Sequence, residues 1–270
     1  MPSPLGTPKG EPRRVLHPGA MGAAIGTCLV DAGHEVLWAS AGRSSQTAAR
    51  AEAGGLTDVA SVDELAARSE VLLSICPPDA ALDVARSLRG YRGVLVDANA
   101  IAPATAARIA AATEARYVDG GIIGPPPTEP GTTRLYLSGD EAERVAALFA
   151  STRLDARLLP AGGATAASAL KMAYAAWTKG SAALLLAVEQ AAATLDVAAA
   201  LHEEWGLSQP ALAQRSHAAR AAAVEKGWRW TGEMREIAAT MRAAGVPDGF
   251  HAAAADVFDG FPRPAASART

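Results

Sequence analysis

The chain has 270 residues, half of them hydrophobic and a fifth charged, and its 25 basic and 28 acidic side chains leave a net charge of −3. That length suits one large domain or two ordinary ones with a full apolar core. The near-neutral balance, with no basic run, speaks against nucleic acid or an anionic membrane as the main partner.

Met1 to Glu11 is rich in Pro and Gly and lacks an apolar stretch, so residues 1–11 are expected to be a disordered lead-in and not a signal peptide. Arg13 to His17 reads as a short strand running into Pro18-Gly19-Ala20-Met21-Gly22. A helical pattern follows from Met21 to Ala32 and closes at Gly33, and His34 to Ala39 is a second apolar strand. Ser44 to Ala53 is helical and stops at Gly54-Gly55. Val71 to Ile75 reads as a buried strand ended by Pro77-Pro78, and Val94 to Asp97 as another, followed by a helix with Pro103 in its first turn. Tyr117 to Ile123 and Thr133 to Leu137 are further strands. Strands alternating with helices predict a doubly wound α/β domain with a mostly parallel sheet over residues 12–161.

Beyond Pro160 the pattern becomes Ala/Leu-rich helix up to Phe261, beginning with a long helix from Thr165 to Thr194. Residues 162–261 are therefore expected to form an all-α domain, and 262–270 a disordered tail. Ala182 to Leu201 is interrupted by Glu189, Gln190 and Asp196, which reads as a buried helix and not a membrane span. Cys28 and Cys76 belong to no disulfide framework and read as free thiols, which fits a cytoplasmic protein. No His/Cys/Asp/Glu group has metal-ligand spacing.

The first strand–turn–helix carries the clearest chemistry. A dinucleotide site needs a glycine turn there, so that backbone N–H groups and the helix N-terminus meet the pyrophosphate unobstructed. Gly19 and Gly22 stand where the second and third glycines of G-x-G-x-x-G belong, while His17 replaces the first and Pro18 holds it extended. Two glycines alone could merely open a helix; strands on both sides of the unit point to dinucleotide binding, with His17, Pro18, Gly19, Ala20, Met21 and Gly22 as its loop.

The next loop addresses which nicotinamide cofactor binds. An NAD site places a carboxylate about 20 residues on, against the ribose 2′-hydroxyl. Here the second strand ends at Ser40 and continues Ala41-Gly42-Arg43-Ser44-Ser45, a guanidinium and hydroxyls with no acid among them. That set suits a 2′-phosphate and predicts NADPH over NADH. The alternative is that Arg43 and Ser44 only begin the next helix.

Taken together these residues resemble the β-hydroxyacid dehydrogenase superfamily, to which 6-phosphogluconate and 3-hydroxyisobutyrate dehydrogenases and the imine reductases belong. The likeness runs through Pro18-Gly19-Ala20-Met21-Gly22, Asp97-Ala98-Asn99-Ala100-Ile101-Ala102-Pro103, Asp119-Gly120-Gly121-Ile122-Ile123-Gly124, and Gly162-Gly163 followed by Lys171. It implies hydride transfer between nicotinamide and a carbon bearing oxygen or nitrogen, with Lys171 as acid/base. It also implies that Cys76, Pro77 and Asn99 adjoin the cofactor and that Gly121, Ile122 and Ile123 adjoin a small-molecule substrate. Dimerisation through the helical domain is implied as well.

Lys171, Ala175, Thr178, Ala182 and Glu189 share one helical stripe, a polar seam that could face a cleft. Without the resemblance, Lys171 would read as an ordinary solvated lysine. Tyr174, Ala175, Thr178, Trp230, Met234 and His251 are the further pocket candidates, though aromatics and Met at helical spacing are more often core. The family carries Asn where this chain has Ala175 and Ser where it has Ile123. Both changes make a less polar pocket and favour a larger carbonyl or an imine, whereas retention of Lys171 favours carbonyl chemistry. Three readings stay open: a carbonyl/hydroxyacid oxidoreductase, an imine reductase, and a non-catalytic NADPH-binding protein.

Overall fold

The structure, a computed structural model, describes residues 13–15, by their backbone only, and residues 18–263. His17, residues 1–11 and residues 264–270 of the expected tail 262–270 lie outside the described residues. Two compact units divide the chain, one through Lys171 and one from Met172 onward.

The first unit is built on an eight-stranded sheet: β1 (Arg13–Val15), β2 (Val36–Ala39), β3 (Thr57–Val59), β4 (Val71–Ser74), β5 (Val94–Asp97), β6 (Arg116–Ile123), β7 (Arg134–Ser138) and β8 (Asp155–Leu158). Its helices are α1 (Ala20–Asp31), α2 (Ser45–Ala53), α3 (Val62–Ala67), α4 (Ala81–Ser87), α5 (Pro103–Ala112) and α6 (Ala142–Ala147). The strand order is β3-β2-β1-β4-β5-β6-β7-β8. Every neighbouring pair is parallel except β6 with β7. The order reverses between β1 and β4, which opens a crevice at the carboxyl ends of the strands, where doubly wound folds bind ligands.

Alternation along the strands explains why the sheet is buried on both faces. Val36 and Trp38, Val71 and Leu73, and Val94 and Val96 enter one core with Ile25 and Leu29 of α1 and Val145 and Phe149. Leu37 and Ala39, Leu72, and Leu95 enter the other with Leu65, Ala85, Ala106 and Ile109 from α3, α4 and α5. The parallel sheet and the strands named from sequence are present within a residue or two. The edge strands β3 and β8 and the short helices α3, α4 and α6 were not foreseen, because three- to seven-residue elements with polar edges lack a readable period.

The long helix α7 (Ala166–Thr194) begins in the first unit. The second unit continues with α8 (Ala198–Ser208), α9 (Ala211–Ala243) and α10 (Gly249–Asp259). Met234, Ile237 and Phe258, all with zero exposure, anchor the core of this unit. Among the described residues no helix is long and apolar enough to cross a membrane.

Candidate cofactor and active site

Helix α1 opens at Gly19, whose carbonyl accepts from Ala23 N at 2.8 Å. Among the described residues no side chain caps this end, and no acid sits in its first turn. The leading N–H groups and the positive end of the helix dipole are therefore left for an anion. A Cβ built on Gly19 would meet nothing within 4 Å, so its value at this position is an open approach for a ligand and not relief of crowding inside the protein.

The loop after β2 is a tight turn in which Arg43 N donates to Ser40 O at 3.0 Å, with Gly42 at φ 71°. Ser44 caps α2, accepting from Thr47 N at 3.3 Å, so the hydroxyl singled out for a phosphate already serves the helix. Arg43 differs. Its Nε is buried and has no hydrogen-bond partner among the described residues, burial pushes its guanidinium pKa down, and it lies within electrostatic reach of Cys76. An unpartnered buried guanidinium N–H beside an uncapped helix-led crevice fits a phosphate-bearing cofactor.

At the carboxyl ends of β4 and β5 lies Asn99, only 2% exposed. Its Oδ1 accepts from Cys76 N at 2.6 Å and its Nδ2 donates to Ser74 Oγ at 3.2 Å, locking the end of β4 to that of β5. Its amide is thereby committed to shaping the loop of Cys76 and Pro77. Burial raises the Cys76 thiol to about 12, so it stays protonated and unreactive. Beneath Asn99, Asp97 accepts from Asn99 N at 3.1 Å. Burial, and then the nearby Asp119 charge, push Asp97 up to about 7 even though the Asn99 hydrogen bond opposes the shift.

Asp119 was missed as a functional residue by sequence reasoning. It is fully buried on β6 and accepts from Ser168 Oγ at 2.5 Å, Ser168 N at 2.7 Å and Ser138 Oγ at 3.2 Å. Ser138 Oγ accepts in turn from Ala167 N at 3.1 Å. A strand carboxylate thus caps the first turn of α7, satisfying donors that a local N-cap would otherwise serve. The available signal was an acid inside the buried strand Tyr117-Val118-Asp119-Gly120-Gly121, which demands partners.

One turn beyond Ser168, Lys171 turns back toward the sheet, and its Nζ donates to Ile122 O at 2.7 Å. Burial alone lowers its pKa to about 8. The close approach depends on Gly121, where a Cβ would stand 2.6 Å from Ala167 O and 3.2 Å from Lys171 Cβ. Gly121, Ile122 and Lys171 are therefore brought together at the carboxyl end of β6, with buried Ile123 beside them.

Residues 15–100 match the family described as NADP oxidoreductase, coenzyme F420-dependent, and residues 192–260 match a domain of unknown function, DUF1932. Among solved structures, the conserved protein MTH1747, of unknown function and described as similar to 3-hydroxyacid dehydrogenases, is 25% identical with TM-score 0.66, over 92% of this chain and 95% of that one. The 3-hydroxyisobutyrate dehydrogenase of Mycobacterium tuberculosis, solved with L-serine, gives TM-score 0.69 at 18% identity, over 93% of each chain. The chain has the hydroxyacid dehydrogenase fold. A reductive aminase of Aspergillus terreus, solved with an NADPH form, cyclohexanone and allyl amine, shares this fold at TM-score 0.57 and 20% identity, over 93% of this chain and 99% of that one. No curated protein sequence matches the chain.

Within this dehydrogenase fold the remaining candidates fall in the helical unit. Met234, an expected pocket residue, has zero exposure and packs in the core. Ala175, at 1%, is likewise internal. Tyr174 is exposed, and Thr178 Oγ1 donates back to Tyr174 O at 3.2 Å. Trp230 stacks edge-on against Phe258 with centroids 5.0 Å apart and lies under Lys179, which pairs with Glu233. His251 sits against Gly180, and its Nδ1 is buried without a partner among the described residues. The expected polar seam along α7 is broken up: Lys171 faces Ile122 O, Thr178 bonds its own helix, and Glu189 is held by Ser216 at 2.7 Å and His202 at 2.9 Å.

Proposed function

We propose that this chain is an NADPH-dependent oxidoreductase that reduces a carbonyl compound, with Lys171 as the proton donor. The observation that carries the reading is Lys171 Nζ, held against Ile122 O at the carboxyl end of β6 with its pKa lowered to about 8. At pH 7 a group with that value is about nine-tenths protonated, and it is far more willing to give up its proton than a solvated lysine.

The residues present suit the cofactor. The first turn of α1 would receive the pyrophosphate, Arg43 the 2′-phosphate, and the loop of Cys76 and Pro77, shaped by Asn99, would adjoin it. When bound, the nicotinamide supplies a hydride to the substrate carbon. Lys171 donates a proton to the oxygen that becomes the alkoxide, and in the reverse direction takes it from the hydroxyl. Asp119 and Gly121 act by fixing α7 against β6, so that the ammonium is positioned before substrate arrives. Residues 12–161 would form the cofactor domain and 162–261 the substrate and dimerisation domain.

A second reading, reduction of imines, is favoured by one feature: buried Ile123 and internal Ala175 offer no hydroxyl or amide to a hydroxyacid. The deciding experiment follows NADPH absorbance with the purified chain against keto acids and semialdehydes, cyclic imines and amine–ketone pairs, with oxidised F420 as a further acceptor. Turnover confined to the carbonyls supports the first reading, and turnover confined to the imines replaces it with the second. Binding without turnover of any of them leaves a nucleotide-binding protein.

We also propose a homodimer formed through the helical unit. Tyr174, Trp177 and Leu184 follow a heptad-like spacing on α7 and are 46%, 68% and 65% exposed, and Leu195, just past the end of the helix, is 70% exposed. Such a stripe loses its contact with water only against another surface. A monomer by light scattering at micromolar concentration would refute this.

A further inference from the structure

The turn after β2 is braced by an acid from a different strand. Ser40 N donates to Asp58 Oδ1 at 3.1 Å. Asp58 stands exposed on the edge strand β3, in register with Trp38 of β2, and this pairing brings an acid 18 residues away to the mouth of the turn. The same four residues close through Arg43 N and Ser40 O, with Gly42 in the left-handed region, and lead straight into α2. One carboxylate and one guanidinium therefore flank a single turn. Among the described residues they form no ion pair with each other, and the Arg43 Nε has no hydrogen-bond partner.

We infer that Asp58 sets the selectivity of this loop between NADPH and NADH, an inference that rests on the cofactor reading above. Its carboxylate has two separable effects. As an acceptor it fixes Ser40 N, and with it the path of the turn that presents Arg43. As an anion it opposes a dianionic 2′-phosphate near Arg43, but not the neutral 2′-hydroxyl of NADH. For like charges within a Debye length of each other at an exposed site, the penalty is roughly three- to tenfold in relative affinity and shrinks with added salt. Asp58 thus holds the phosphate-binding turn in shape while keeping its preference for the phosphate moderate.

Direct titration of the full chain with NADPH and with NADH, read by nucleotide fluorescence and needing no substrate, tests this. Asp58→Asn keeps an oxygen for Ser40 N and removes the charge. It is expected to raise the NADPH-to-NADH affinity ratio roughly three- to tenfold at low salt and less at high salt. Asp58→Ala removes both effects and is expected to weaken both nucleotides relative to Asp58→Asn. A ratio unmoved or lowered in Asp58→Asn, or a rise indifferent to salt, overturns the charge role. Equal affinities in the two variants overturn the bracing role. If the unaltered chain binds neither nucleotide, the cofactor reading falls and this inference with it; if it binds NADPH but Asp58→Asn changes nothing, this inference falls alone. Thermal unfolding of both variants checks that the exposed substitution leaves the fold intact.

Discussion

Replacing Lys171 with Met keeps an unbranched chain up to the position of Cε while deleting the charged amine, and the consequence can be read without knowing any substrate. Burial lowers the lysine from 10.5 to about 8, a depression of about 3 kcal/mol at 1.36 kcal/mol per unit. The folded state therefore binds fewer protons than the unfolded chain between pH 8 and 10.5. The Lys171 contribution to stability rises with pH across that window, and below pH 8 the full cost of the buried ammonium is present. Lys171→Met escapes that cost but loses the hydrogen bond to Ile122 O, which is worth about 1 kcal/mol. The net expectation is a variant about 2 kcal/mol more stable at pH 7, with the advantage gone near pH 10.5. Urea unfolding of both proteins at several pH values measures the difference directly. A gap that stays constant with pH refutes the buried-ammonium argument, and with it the reason for choosing Lys171 as the acid. Activity, once a substrate is found, should follow the same titration. Reduction should decline above about pH 8, oxidation should rise through it, and Lys171→Ala should bind NADPH normally while losing roughly 10²-fold in kcat.

The other perturbations act on the frame of the site. Arg43→Ala should remove most of an at least roughly tenfold preference for NADPH over NADH, measured by nucleotide titration; equal affinities in the unaltered chain would contradict the assignment of this loop. Asp97, raised to about 7, is stabilising in its protonated form, so that contribution is present below its unfolded value and lost as pH rises through about 7. Asp97→Asn should flatten the fall in stability between pH 4 and 7, as followed by denaturant midpoints, and an unchanged slope would place that proton elsewhere. Gly121→Ala places a methyl 2.6 Å from the Ala167 carbonyl, and α7 must move to admit it. A loss of about 1–3 kcal/mol in calorimetry is expected, with a larger proportional loss of kcat than of NADPH affinity.

Much of this protein follows from local pattern. Alternating apolar strands such as Val71 to Ser74 and Val94 to Asp97, separated by helices with recognisable starts, oblige a parallel sheet buried on both faces. Gly19 and Gly22 at the first strand–helix junction, and the Arg43 loop after the second strand, are legible because the backbone conformation and charge they supply are written in consecutive residues. What the sequence left dark depends on elements meeting at a distance. Asp58 reaches Ser40 only because β3 pairs with β2, and Asp119 caps α7 only because β6 runs beneath the helix start. Met234 and Trp177 illustrate the converse: helical spacing marks both as apolar, but only packing decides that one is sealed in the core and the other faces solvent. Lys171 shows both limits at once. Its place one turn after Ser168 is a matter of sequence, whereas its lowered pKa exists only because the tertiary structure removes its ammonium from water.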